Sequence, residues 1–214
     1  MTDKLVELEK QIDGYGIGTN LSDSTLLLFP DNFRKVHSYR LFGSDLLAIP
    51  AGKNDEMEQP FSFLSSKDAL DLFDSEFRTD QMDNFIQIGN IFGGSKIVLL
   101  NIIKNTVHVF HHSVISCDHE SLTYSLENGI GTLEEFIQSL RPQTVCCFAN
   151  RKSYYPEYYI FEIRDNFELM NDATFTKYLD EKTLWQEYYK LVDNAVDKGF
   201  EVHYAPRRIR ERLG

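Results

Sequence analysis

The residues best suited to metal chemistry are concentrated between positions 108 and 119. They are His108, His111, His112, Cys117 and His119. Imidazole and thiolate groups bind zinc, and a structural zinc site needs four ligands. In a strand, however, His108 and His112 would face one way and His111 the other. The region also lacks the Cys-x-x-Cys and His-Glu-x-x-His spacings of zinc motifs. We therefore expect surface and strand-end histidines without a bound metal, and a metal-dependent enzyme is the least favoured hypothesis.

Two adjacent cysteines, Cys146 and Cys147, are the candidate nucleophiles. Nucleophilic catalysis needs a base and an orienting group beside the nucleophile, and no local signature marks either cysteine. The run Val145–Phe148 is apolar and predicts a buried strand, in which cysteine behaves as a small apolar residue. Carboxylates are so abundant that no pair of them indicates glycoside chemistry. We therefore expect no catalytic residues, no cofactor and no enzyme activity.

The cellular compartment follows from the cysteines and from the distribution of apolar residues. The 3 cysteines are an odd number, too few for a disulfide-rich scaffold, and they favour a reducing environment. Met1–Lys4 lacks the charge pattern of a signal peptide and is not followed by its apolar region. No apolar run approaches the roughly 18 residues of a membrane span. We expect a cytoplasmic protein that does not associate with membranes.

The charge balance restricts the kinds of partner. The formal net charge is −11, which disfavours binding to nucleic acid phosphates and to anionic membranes. An acidic surface suits a basic protein partner, because complementary potentials speed their encounter. The alternative is that the charge serves only solubility. The candidate partner-binding acids lie in an acidic loop and on a predicted helix: Asp55, Glu56, Glu58, Asp68, Asp71 and Asp74.

The middle of the chain must provide the scaffold for any site. Phe85–Asn90, Ile97–Ile103 and Thr106–His111 are rich in isoleucine and valine and are separated by turn residues, which predicts adjacent antiparallel strands. A helix follows, with an apolar face at i, i+3, i+4 and i+7 from Leu133. Thr132 and Glu135 have capping-box spacing at its start.

This order of elements resembles the SUKH superfamily. The residues that carry the resemblance are "FIQIGNIFGGSKIVLLNIIKNTVHVFHH", then "GTLEEFIQSL", and upstream the helix start Phe29-Pro30-Asp31-Asn32-Phe33. The resemblance covers Pro30 to Leu140. It implies a non-catalytic protein-binding module, most concretely a bacterial immunity protein that neutralises a basic cognate toxin such as a nuclease. The alternative it implies is a regulatory scaffold like the yeast cell-wall assembly regulators, which we rank lower because those proteins carry long disordered extensions.

Further elements flank this scaffold. Helices are predicted over Thr2–Asp13, from a Ser65–Asp68 capping box onward, and over Thr183–Lys198 with a Thr183–Gln186 capping box. Strands are predicted over Tyr154–Ile163 and Phe200–Tyr204. The arginines of the C-terminal tail are expected to pair with the acidic helix near Asp71 or to extend into solvent.

The predicted fold is α+β, with a mostly antiparallel sheet and helices packed on one face. Residues 1–142 form the SUKH-like domain. Residues 143–214 add a C-terminal strand-helix-strand extension packed on the same body.

Overall fold

The computed structural model describes residues 1–43, 46–50, 58–73, 79–91, 95–117, 119–151, 154, 156–172 and 174–214. The chain divides into two compact units. The first consists of Met1–Ile49 and Gln59–Pro142, and the second of Pro50–Glu58 and Gln143–Gly214. Pro50–Glu58, predicted to be part of the first domain, belongs to the second unit. The predicted packing of residues 143–214 on the body of that domain stays a prediction.

The first unit is built on a seven-stranded sheet. Its strands are β1 (Leu47–Ile49), β2 (Gln59–Phe63), β3 (Phe85–Ile91), β4 (Lys96–Asn101), β5 (Thr106–His111), β6 (Gly131–Thr132) and β7 (Arg141–Pro142). They lie in the order β6-β5-β4-β3-β2-β1-β7, and neighbouring strands pair antiparallel. The α+β class and the antiparallel central strands are confirmed. Strand β1 is only three residues long, and Pro60 lies in β2.

Gly89 marks the point where the central strands change register. The pairing of β3 with β4 shifts between Gln87 and Gly89, a β-bulge. A Cβ atom at position 89 would collide with the ring of Phe61 and lie 2.7 Å from the carbonyl oxygen of Ser62. Glycine at the end of the Phe-Ile-x-Ile-Gly motif is therefore required by the close approach of β2.

The described residues of the first unit form six helices. They are α1 (Thr2–Ile12), α2 (Asp31–Arg34), α3 (Ser66–Phe73), α4 (Ser113–Cys117), α5 (His119–Glu127) and α6 (Leu133–Ser139), with short 3₁₀ turns at Ser24–Leu28, Lys35–Ser38 and Asp80–Met82. The capping box of Thr132 and Glu135 is formed. At α3, the Ser65 hydroxyl donates to the Asp68 carboxylate at 2.6 Å and accepts from its backbone N–H at 3.2 Å.

Two apolar clusters use alternate residues of the same strands. Val98 and Leu100 of β4 belong to the larger cluster, which also contains buried residues of α1 and α6. Leu99, between them, belongs to a smaller cluster with Leu122 and Leu126 of α5. Because side chains alternate along a strand, the two clusters lie on opposite faces of the sheet. The unit is thus organised around buried strands, in agreement with their apolar sequence.

The second unit contains a five-stranded antiparallel sheet and two helices. Its strands are β8 (Cys146–Asn150), β9 (Tyr158–Arg164), β10 (Glu168–Asn171), β11 (Thr174–Lys177) and β12 (Phe200–His203), in the order β11-β10-β9-β8-β12. The helices are α7 (Glu181–Asp197) and α8 (Arg207–Leu213), and a 3₁₀ turn covers Asp165–Phe167. The core contains Phe148, Phe161, Leu184, Tyr188 and Val192. Helix α7 therefore buries its apolar stripe against the sheet of its own unit.

Two details of this unit correct the sequence analysis. Helix α7 begins two residues earlier than predicted, because Asp180 is the cap and accepts from the backbone N–H of Thr183 at 2.8 Å. The arginine-rich tail forms α8 and packs on α7. Arg208 lies 4.6 Å from the Trp185 ring centroid, and Arg212 pairs with Asp193. Within the described part of the chain, no helix is both long enough and apolar enough to cross a membrane.

Candidate functional site

The predicted partner-binding acids differ in their exposure to solvent. Asp68 is exposed in the first turn of α3. Glu58 is fully buried, with 0% of its surface exposed, so its prediction as an outward-facing acid is wrong. The positions of Asp55, Glu56 and Asp74 lie outside the described residues, as does the side chain of Asp71.

The Glu58 carboxylate can be buried because two residues of the same unit, Thr144 and Val145, donate hydrogen bonds to it. Oε1 accepts from the backbone N–H of Val145 at 2.8 Å and from that of Thr144. The Thr144 hydroxyl donates to the same carboxylate at 2.9 Å. A buried carboxylate is tolerated only when such donors replace water. Glu58 is therefore structural, and a sequence search for acidic residues cannot separate it from surface acids.

The first unit has a cavity of about 590 Å³ at the N-terminal end of α3, here called the α3 cleft. Its described lining is Ile17, Gly18, Thr19, Asn20, Asp23, Phe42, Gly43, Ser62, Phe63, Leu64, Ser65, Ser66, Lys67, Asp68 and Asn90. This volume lies within the range of ligand-binding clefts. Phe42 makes isolated bridges to both Ile17 and Phe63, so short extended segments hold the apolar part of the lining in place.

Two carboxylates give the α3 cleft its electrostatic character. The Asp23 carboxylate accepts from the backbone N–H of Thr25 at 2.9 Å and from the Ser66 hydroxyl at 3.0 Å. These hydrogen bonds lower the pKa of Asp23, so it is ionised at neutral pH. Asp68 is held beside it at the same helix end. Lys67 is exposed and is the one cation among the described residues of the lining.

His37 is a buried imidazole that contacts the α3 cleft through Thr19. The Thr19 hydroxyl donates its hydrogen to the His37 carbonyl at 3.0 Å. At its 3.1 Å contact with Nδ1 of His37, the same hydroxyl therefore accepts a hydrogen bond from the ring N–H. His37 therefore cannot take the proton of Thr19, and the two are not a nucleophile–base pair. The ring lies against Phe29, Phe33 and Phe42, and burial lowers its pKa to about 4.

The segment that lines one side of the α3 cleft also exposes large apolar side chains, here called the apolar rim. They are Tyr15, Ile17, Leu21, Leu27 and Leu28. Leu27 is 73% exposed and Leu28 is 63% exposed, while Leu26 between Thr25 and Leu27 is buried. Single exposed leucines are ordinary, but several in one short segment beside a cavity are typical of an interaction surface.

The described histidines between positions 108 and 119 are not part of the α3 cleft lining. Nδ1 of His108 donates to the carbonyl of Ser125 at 2.9 Å, and its Nε2 accepts from the Thr106 hydroxyl at 2.9 Å. His111 and His112 are exposed, and the side chains of Cys117 and His119 are outside the described part. No group of three or more potential ligands among the described residues could hold a metal ion.

The predicted buried strand at the adjacent cysteines is confirmed. Cys146 and Cys147 lie in β8 and are both buried. Burial raises the pKa of Cys147 to about 11 and that of Cys146 still further. Both remain thiols at neutral pH, the form that is the weaker nucleophile.

Sequence reasoning missed the α3 cleft. No sequence motif marks Asp23 or the segment Gly14–Gly18 as part of a binding site. The sequence feature that could have indicated it is Asp23 itself, because an aspartate side chain in a turn accepts from the backbone N–H two residues further on, here that of Thr25. Comparison of the chain with protein-family models, with curated proteins and with solved structures found no match.

Proposed function

We propose that this chain is a non-catalytic protein-binding module, most concretely a cytoplasmic immunity protein that binds and neutralises a cognate toxin domain. Two features support the proposal at the level of sequence. The first is the resemblance of Pro30–Leu140 to the SUKH superfamily. The second is the net charge of −11, which favours encounter with a basic protein such as a nuclease.

The observation that carries the proposal is the position of the apolar rim next to the α3 cleft. A protein interface has an apolar centre and polar groups around it. The rim supplies exposed leucine and isoleucine side chains, and the cleft supplies carboxylates and hydroxyls. A partner that covers Leu27 and Leu28 would remove apolar surface from water, at about 25 cal/mol per Å².

The chemistry of the α3 cleft also favours binding over catalysis. Two of its hydroxyl groups hold its carboxylates in place. Ser66 donates to Asp23 and Ser65 to Asp68. Among the described lining residues, the Thr19 hydroxyl lies next to an imidazole, and it accepts a hydrogen bond from the His37 ring instead of donating one to it. These groups can hold a partner in a fixed orientation but are not arranged to activate a nucleophile.

The test uses the protein encoded by the gene immediately upstream. Its C-terminal domain, if small and basic, is purified with its active site inactivated, and binding to this chain is measured by calorimetry. Co-expression of the active domain with this chain measures protection of cell growth. We expect tight binding and protection. A basic domain that neither binds nor is neutralised would refute the immunity proposal.

A matched pair of variants tests the surface. Leu27 and Ile103 are each 73% exposed, and Ile103 lies in the turn between β4 and β5. Leu27→Asp should weaken toxin binding by about tenfold or more, the size expected for an apolar contact at the centre of an interface. Ile103→Asp should leave the Kd unchanged. Equal effects of the two substitutions on the Kd would show that the apolar rim is not part of the interface.

A further inference from the structure

The α3 cleft has an asymmetric distribution of charge. Its two carboxylates, Asp23 and Asp68, lie at the N-terminal end of α3, where the helix dipole is already balanced by negative charge. An anionic ligand would therefore meet two carboxylates. A cationic ligand would meet one competing charge among the described lining residues, the exposed Lys67. The cleft consequently favours a cation.

The two carboxylates retain capacity to accept further hydrogen bonds. Each ionised carboxylate has about four lone-pair sites. Asp23 uses two of its sites for Thr25 and Ser66, and Asp68 accepts from the Ser65 hydroxyl. A cation that brings several donors can add hydrogen bonds without breaking the helix caps.

The apolar part of the lining points to the shape of this cation. Phe42 and Phe63 have ring centroids 5.8 Å apart, and Ile17 and Leu64 lie beside them in the lining. A guanidinium group carries five donors in a flat arrangement that can serve two carboxylates at once, whereas an ammonium group is compact and strongly hydrated. The methylene stem of an arginine also suits an apolar wall. The volume of about 590 Å³ admits such a side chain together with the backbone that carries it.

We infer that the α3 cleft is the receptor for an arginine side chain presented by the partner protein. The inference rests on the proposed function and adds the chemical group that the partner supplies at that site. Asp23 and Asp68 accept the guanidinium hydrogen bonds, and the apolar lining at Ile17 and Leu64 contacts the methylene stem of the arginine. The apolar rim contacts the surface around the arginine.

The first experiment measures the binding of a small arginine probe to the α3 cleft in the absence of any toxin. The probe is Nα-acetyl-arginine amide, and the control is Nα-acetyl-citrulline amide, which has the same shape and no charge. Amide chemical shifts of ¹⁵N-labelled protein are followed during titration. A ligand of about fifteen heavy atoms at ordinary ligand efficiency binds with a Kd of about 1 mM. We expect saturable shifts at Gly18, Gly43 and Asn90 with the arginine probe and much weaker ones with citrulline. Equal responses to the two probes, or no response, would overturn the inference.

Three substitutions should change the Kd of the arginine probe in opposite directions. Asp23→Asn and Asp68→Asn keep an oxygen that can cap a helix end, so the fold is retained. Each should raise the Kd of the arginine probe by about threefold, the size of a partly solvated charge contact. Lys67→Gln removes the competing charge and should lower the Kd by about twofold. A purely structural role would not produce opposite effects, and a uniform loss in all three variants would overturn the inference.

The same variants separate this inference from the immunity proposal. If the toxin binds and the Asp→Asn variants retain its wild-type Kd, the partner is confirmed and the arginine receptor is refuted. If the arginine probe binds as expected and the basic upstream domain does not, the receptor stands and the immunity proposal falls. If the probe and the toxin both bind as expected, replacing each exposed arginine of the toxin by lysine should identify one whose loss weakens binding as Asp68→Asn does.

Discussion

The backbone N–H of Glu58 donates to the carboxylate of Glu162 at 2.8 Å, although the two residues are 104 positions apart in sequence. Both side chains are fully buried. The Glu58 carboxylate in turn accepts from the Thr144 and Val145 backbone. These bonds join Glu58 to the second unit, because a buried N–H or carboxylate without a partner would cost free energy. The residue that follows in sequence, Gln59, begins strand β2 of the first unit.

The first prediction concerns the Glu58 anchor. Glu58→Ala leaves the N–H groups of Thr144 and Val145 buried without an acceptor. The free energy of unfolding of the second unit should fall by about 3 kcal/mol or more. Trp185 is the only tryptophan of the chain and lies in α7, so its fluorescence during urea unfolding measures the second unit.

The matched control for Glu58 is Glu157→Ala. Glu157 is exposed and belongs to the same unit. Its removal should change the urea midpoint by little, because surface substitutions away from special contacts have small effects. Similar midpoints for the two variants would contradict the anchoring role of Glu58.

The second prediction concerns the glycine at the β-bulge. Gly89→Ala introduces a Cβ that overlaps the Phe61 ring and the backbone of Ser62. The first unit should lose about 2–4 kcal/mol, since neither a buried ring nor a paired strand can move freely. Hydrogen exchange of the β3 amides measures the loss. Gly18→Ala is the control, because its Cβ would meet only the Arg40 side chain at 3.7 Å. Equal protection in both variants would show that β2 and β3 tolerate the extra atom.

The third prediction is a dependence of stability on pH through His37. Its pKa is lowered from 6.5 to about 4, first by burial and against a smaller opposing effect of Asp23. Between these values the unfolded chain binds more protons than the folded chain. Stability is therefore unaffected by His37 above about pH 7 and falls as the pH is lowered towards 4, by up to about 3 kcal/mol.

The measurement for His37 combines NMR titration of the imidazole with urea unfolding at two pH values. The resonance should titrate with a midpoint near pH 4. His37→Phe should lose less stability between pH 7 and pH 4.5 than the wild type does, by about 2–3 kcal/mol. A midpoint near 6.5 would show that the ring is accessible to water. The pKa of His108 is also lowered by burial, so its resonance must be assigned separately.

The fourth prediction distinguishes the two possible caps of α7. Asp180 accepts from the backbone N–H and the hydroxyl of Thr183, at 2.8 Å and 3.0 Å. Asp180→Ala should destabilise the second unit by the loss of one helix cap, less than Glu58→Ala does. Gln186→Ala should have no measurable effect, because Gln186 is not the partner in a capping box. The urea midpoints of both variants are measured by Trp185 fluorescence. A larger loss of stability for Gln186→Ala than for Asp180→Ala would show that α7 is capped by Thr183, as the sequence predicts.

The amino-acid sequence by itself determined the fold class and most of its elements. The isoleucine- and valine-rich runs form β3, β4 and β5, the capping box starts α6, and the Ser65 hydroxyl caps α3 where the spacing predicts. The strand at Cys146 and Cys147 is buried as its apolar neighbours indicate. These features depend on side-chain periodicity and on contacts within a few residues, and both are visible in a linear sequence.

The tertiary structure alone decided which polar residues are buried and which are accessible. Glu58 is buried because donors about 86 positions away surround its carboxylate, and no local pattern encodes them. Asp23 and Asp68 become neighbours at one helix end because Ser66 bridges from α3 to a loop 43 positions earlier. Asp180 replaces Thr183 as the cap of α7 because it is the residue whose carboxylate reaches the first free N–H groups. Each outcome depends on contacts between residues distant in sequence or on exact side-chain geometry, which composition and periodicity do not determine.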